Sequence, residues 1–278
     1  IVGSLPIILA RPFVGILMWS WVSYMNPHRM TWGFAFDLPF AQVVAATTVI
    51  ALMFSKEPKK VPIRAFTVLW ASFLVWMLIT TYFALSPEPA RDQFVKVLKI
   101  QFFILLTMML VNTKERIEQL IWIIVLSIGF FSVKGGLFTL LTGGGSKVYG
   151  PPGGFIEENN ALAVATLMVI PLMHYLRLHA TNRWVRMGLM VAMVLSAASA
   201  LGSQSRGAFI AGLVLLTVFW LKSKRKALTA IALVVLIPPL VVFMPQQWWD
   251  RIHTITSKSS ADVTEITSMR TRTGEGTL

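Results

Sequence analysis

The chain has 278 residues, of which 55% are hydrophobic and only 13% charged, with a formal net charge of +13 and no cysteine. A soluble domain carries roughly 25% charged residues, so an ordinary soluble fold is excluded. The lack of cysteine excludes disulfides, zinc–thiolate sites and a thiol nucleophile. Lys and Arg sit in short clusters between apolar runs, which is the pattern of membrane orientation rather than of a nucleic-acid footprint.

The apolar runs approach the ~20 residues that a helix needs to cross a bilayer, whereas a membrane β-barrel would show alternating segments of about ten. The expected fold is all-α, a polytopic transmembrane helix bundle with about ten spans. Breakers and caps place the spans at 1–10, 13–25, 39–54, 65–85, 95–111, 117–141, 160–178, 185–201, 205–221 and 227–244. They form one transmembrane domain over 1–245, and 246–278 is expected to begin a partly flexible periplasmic loop. That segment opens with Trp248 and Trp249, suited to a membrane interface, and nine of its last 22 residues are Ser or Thr. With Ile1 at one end and a polar stretch at the other, the chain is expected to be a fragment.

Alternate loops divide the basic residues unevenly. One set, from Arg11 through the Lys56–Arg64 segment to Lys226, holds 14 of them, and the other, from Arg29 to Arg206, holds 5. The positive-inside rule makes the first set cytoplasmic. The segments 26–38, 86–93, 142–159 and 202–206 then face away from the cytoplasm, out of reach of nucleotide donors.

Four constellations fall on that outer face. In "GSQSRGAF", Gly202 can end one helix and Ser203 or Ser205 can cap the next. Arg206 falls in the first turn of that helix, where the dipole disfavours a cation. Snorkelling to lipid headgroups explains such an arginine. So does a phosphate site built from a helix N-terminus, hydroxyls, a guanidinium and the open backbone of Gly207. In "VYGPPGGFIEENNALA", Asn159 or Asn160 can cap a helix whose dipole Glu157 and Glu158 complement. The alternative is that these four residues bind sugar hydroxyls or a cation in the same outer cavity. Lys134, in "SVKGGLFTLLTGGG", lies inside an apolar run and must find a partner or a wet cavity, which suggests a counter-charge for an anionic ligand. In "SYMNPHRMTWGFAFDLPFAQ", His28 is the one candidate base, beside Arg29, Trp32 and Asp37, although a lone loop histidine is more often an ordinary polar residue. Pro87 and Glu88 in "SPEPARDQF" mark a helix start capped by Ser86. No phosphate-binding G-x-x-x-x-G-K-[ST] loop, G-x-S-x-G elbow or H-E-x-x-H motif is present.

Together and in order, these four blocks resemble the O-glycosylation ligases of the exosortase-associated type, within the O-antigen ligase and polymerase superfamily. The likeness runs from about Gly3 to Ile255. It implies a multi-pass glycosyltransferase of the bacterial inner membrane with its active face periplasmic. The donor is a polyprenyl-diphosphate-linked glycan, and the acceptor is a protein hydroxyl or a glycolipid. No cofactor, metal or nucleic acid is implied. The diphosphate is expected at Arg206 with Ser205, Gly207 and Lys134, and the glycan near Glu157, Glu158, Asn159 and Asn160. The acceptor-activating histidine is expected beyond Leu278, so His253 and Arg251 are not given that role. A polysaccharide polymerase of the same superfamily, or a lipid-linked sugar transporter or flippase, fits the spans as well.

Overall fold

The computed structural model describes residues 1–223 and 226–227, with Arg206 by its backbone alone. Within them the chain is helical. After a 3-10 turn at Val2–Ser4 come α1 (Leu5–Ala10), α2 (Pro12–Met25), a second 3-10 turn at Pro27–Met30, and α3 (Phe40–Phe54). Then follow α4 (Ala65–Tyr82), α5 (Pro87–Leu110), α6 (Lys114–Leu141), α7 (Asn159–His179), α8 (Arg183–Gly202) and α9 (Arg206–Lys222).

Each of the first nine expected spans has a helix, but ten spans are not what the structure supports. Among the described residues, only α4, α5, α6, α7 and α8 are long and apolar enough to cross a membrane. At 1.5 Å per residue, α2 and α3, with 14 and 15 residues, reach roughly 21–23 Å against a hydrocarbon core of about 30 Å. The six residues of α1 reach less than half of that. The expected tenth span, 227–244, and the loop 246–278 lie outside the described residues apart from Ala227. Helix α5 starts eight residues before the expected 95 because Pro87 fits the first turn. Ser86 precedes it without a side-chain capping bond.

The chain divides into two compact units, Ile1–Ile124 and the part from Val125 onward. In the first, α2 packs against both α3 and α5. Its core gathers Ile16, Leu52, Phe103, Leu106 and Leu110, and Trp19 stacks on Phe103 with ring centroids 4.0 Å apart. Helix α4 buries none of its residues, as a lipid-facing helix does, and is tied to α5 by Trp70 Nε1 donating to Gln101 Oε1 at 2.7 Å. Arg116, at the start of α6, donates to both carboxylate oxygens of Glu57, at 2.7 and 2.8 Å, and to the Leu110 carbonyl at 2.7 Å.

In the second unit α7 packs on α8 and on α9. The remainder of α6 meets α8 through small residues. A Cβ on Gly136 would collide with the Leu195 carbonyl, and one on Gly202 with the Thr139 side chain. Close approach of this kind is how membrane helices associate, since lipid tails are as apolar as leucine. Ser132 and Thr166 share a buried hydroxyl–hydroxyl bond of 2.9 Å between α6 and α7.

Gly136→Ala therefore pushes α6 off the α8 backbone and costs about 1–3 kcal/mol, read as a lower unfolding midpoint in detergent. Gly188→Ala, where a Cβ meets nothing within 4 Å, leaves the midpoint unchanged or raises it slightly.

Candidate functional site

The α8–α9 corner gathers buried, hydrogen-bonded polar residues of the second unit. Helix α8 runs through Gly202, and Ser203, Gln204 and Ser205 make the turn, all three buried. Gln204 turns the chain with φ of +55°, a left-handed conformation uncommon outside glycine, asparagine and aspartate. Something must hold it there, and the Gln204 amide does so by donating to the Gly144 carbonyl at 3.1 Å. Ser203 Oγ donates to the Ala200 carbonyl at 2.6 Å. Ser205 Oγ accepts from the Ala208 N–H at 3.2 Å and so caps α9. Of the two serines considered as the cap, Ser205 has that role.

Arg206 is the first helical residue of α9, and its side chain lies outside the described residues. Gly207 follows, exposed, with nothing within 4 Å of where a Cβ would be. The start of α9 thus combines a capping hydroxyl, a positive dipole end and bare backbone open to solvent.

Asn159 joins this corner from α7. Its Nδ2 donates to the Ser203 carbonyl at 2.7 Å, so it braces the turn instead of capping its own helix. Glu158 holds the cap position of α7 without a side-chain bond, and neither Asn159 nor Asn160 takes it. Glu157 closes its own loop: its Oε2 accepts from the Gly153 N–H at 2.8 Å and its carbonyl from the Gly150 N–H at 2.9 Å. A Cβ on Gly150 would strike the Ile156 carbonyl, so this loop depends on glycine there. Glu158 and Asn160 are exposed and remain available to a ligand.

Lys134 does not join them. Successive helical residues turn by about 100°, which puts Lys134 across α6 from the buried face of Ser132, Gly135, Gly136 and Thr139. It is exposed beside Phe130, Leu137, Phe138 and Leu141. Its neighbours in sequence face α8, but Lys134 itself faces away.

His28 lies in the first unit, in the 3-10 turn after α2, edge-on to Phe40 with centroids 5.5 Å apart. Its Nδ1 is buried without a hydrogen-bond partner. Arg29 pairs with Asp37 at 3.3 Å and sits over the Phe36 ring, while Trp32 is fully exposed. Burial, and then the charge of Arg29, hold the His28 pKa below its ordinary value.

Sequence reasoning missed Gln204, for which a glutamine between two serines carries no turn signature. It also missed the α6–α8 seam, although small residues four apart (Ser132 and Gly136, Gly135 and Thr139, Ala198 and Gly202) are the signal for it.

Fold and site together define an all-helical, membrane-embedded protein with a braced polar corner between two of its apolar helices. The chain belongs to a family of unknown function, DUF5935, which matches residues 2–181 and so takes in α1 to α7 with Asn159, while α8, α9 and the corner between them lie beyond the match. No curated protein and no solved structure matches it.

Asn159→Leu leaves the Ser203 carbonyl without its donor and costs about 1–3 kcal/mol, measured as faster amide exchange at residues 203–205. For His28, the unfolded chain takes up its proton near pH 6.5 while the folded chain resists it. Stability is therefore full above that pH and falls as the pH drops below it. His28→Phe flattens that acid limb in a midpoint-against-pH series.

Proposed function

We propose that this chain is the membrane part of a glycosyltransferase of the O-antigen ligase and polymerase superfamily. It moves a glycan from a polyprenyl-diphosphate carrier to an acceptor hydroxyl, of a protein in the nearer reading and of a glycolipid otherwise. The observation that carries the reading is the α8–α9 corner, where Ser203, Gln204 and Ser205, buried and each hydrogen-bonded to the protein around them, present the open first turn of α9, with Arg206 and Gly207, at the end of two apolar helices.

The acceptor oxygen attacks the anomeric carbon from the face opposite the leaving group. A new C–O bond forms, the bond from that carbon to the diphosphate oxygen breaks, and configuration inverts. The acceptor proton passes to a base, and the electron pair leaves on the diphosphate. Charge develops on that diphosphate as the bond stretches, and donors fixed before the reaction stabilise it without reorganising. The Arg206 guanidinium supplies a two-pronged donor suited to phosphate oxygens, and the first backbone N–H groups of α9 add their dipoles. Gly207 lets the diphosphate approach that backbone. Ser205 holds the helix start in place through its capping bond.

Asn159 fixes the corner and Glu157 fixes the loop beside it, while Glu158 and Asn160 face the glycan. Lys134 has no part in this reading, since it looks the other way along α6. The basic loops define the cytoplasmic side of a bacterial inner membrane, which leaves the corner periplasmic. A lipid-linked donor loaded on that side needs no nucleotide site.

Arg206→Ala in the full-length protein, reconstituted with lipid-linked glycan and acceptor, is expected to lower transfer by at least about 10²-fold while the protein still inserts. Wild-type transfer by that variant sinks the proposal. Covalent joining of glycan repeats to one another in place of the acceptor identifies a polymerase, and glycan crossing the bilayer without a product identifies a transporter.

A further inference from the structure

The first unit carries a second polar site, which the glycosyltransfer reading does not use. Between the end of α1, the start of α2, the end of α3 and the start of α6 lies a cavity of about 550 Å³. One wall is apolar, with Pro12 and Phe54, and the other is formed by Ser55, Lys56, Glu57 and Arg116. It opens where the 28-residue α6 begins, and a helix of that length places its first turn at headgroup level.

The charges in this cavity are unequally engaged. Arg116 has five N–H donors. Glu57 takes two of them and the Leu110 carbonyl a third, so two remain. The guanidinium also lies over the Phe13 ring, 4.9 Å from its centroid, which fixes its plane. Glu57 neutralises Arg116, and Lys56, exposed and without a bonded partner among the described residues, leaves the lining with one net positive charge. Pro12 is the first residue of α2, so the positive end of that helix points the same way.

We propose that this cavity binds the phosphate of an anionic phospholipid, received by Lys56 and the two unengaged N–H groups of Arg116. Three observations select a lipid over a free anion. The donors lie at a membrane-helix end, one wall is apolar, and exposed Phe54 extends that wall toward the bilayer. Basic pockets between membrane helices take lipid headgroups in this way. The Glu57 carboxylate holds Arg116 rigid and keeps the site from collecting several anions at once. The inference is independent of the glycosyltransfer reading, because none of its residues lies in the α8–α9 corner.

The test uses the full-length protein in phosphatidylcholine nanodiscs doped with phosphatidylglycerol, with retained lipid counted by native mass spectrometry. At about 1 kcal/mol per interfacial charge, Lys56→Ala is expected to lower phosphatidylglycerol retention about five-fold and Lys56→Glu about thirty-fold. Lys60→Glu makes the same charge change outside the cavity lining and is expected to lower it less than about two-fold, as a screened surface charge would. Helical circular dichroism should be the same in all three variants, since both lysines are exposed. Undiminished retention in Lys56→Glu overturns the proposal. Equal losses in Lys56→Glu and Lys60→Glu also overturn it, in favour of diffuse surface attraction. Displacement of the lipid by millimolar inorganic phosphate assigns the cavity to a free anion instead.

Discussion

The constraint on which the second unit depends is that a chain turning back within or beside a bilayer must satisfy its own backbone. Between α8 and α9 that burden falls on three residues. Ser203, Gln204 and Ser205 are buried, so protein groups must meet their hydrogen-bonding needs. The Asn159 amide from α7 reaches the Ser203 carbonyl, the Gln204 amide reaches Gly144, and Ser205 takes the Ala208 N–H. Each bond ties the turn to a different part of the unit: α7, the loop after α6, and α9 itself. This bracing lets Gln204 keep a left-handed backbone that an unsupported glutamine would leave.

The same unit shows why small residues matter more here than large ones. Apolar surface gains little by leaving lipid for protein, so helices associate where backbones come close enough for dispersion and hydrogen bonds. Gly136 lies against the Leu195 carbonyl, and Gly202 against Thr139. Gly202 thus belongs to the α6–α8 seam and also precedes the turn, which links helix packing to the placement of the corner. The first unit adds large side chains such as Phe103 and Trp19 to a similar close approach, where a Cβ on Gly15 of α2 would collide with Thr48 of α3.

The helical class and nearly every helix were legible in the sequence, because apolar runs between Pro, Gly and charged clusters leave few other readings. The number of spans was not. Thirteen to sixteen apolar residues, as around α2 and α3, look like spans when boundaries are loose, yet the helices end too soon to cross. Lys134 misled for a related reason. A lysine inside an apolar run called for a partner or a wet cavity, but one step along a helix is about 100° of rotation, and Lys134 lies across α6 from the Gly135 and Gly136 face that meets α8. Ser205 as a cap was readable from its residue type. The reach of Asn159 to Ser203 was not, since 44 residues separate them and no local pattern encodes the pair. Arg116 was counted only as a loop charge, and its partner Glu57, 59 residues away, did not enter that count.

Pro171 sits inside α7. It has no N–H to give the carbonyl of Leu167, so the ladder of α7 is already open by one rung at that level. Asn159 and the corner it braces hang from the half of α7 before that gap, and His174 and Arg177 belong to the half after it. Bending there works against one helical hydrogen bond fewer than in an uninterrupted helix. The corner is held firmly to its own half-helix, and that half-helix joins the remainder of α7 through a soft joint. The brace from Asn159 and the weakest rung of α7 thus lie on one helix, with the brace on the N-terminal side of the gap.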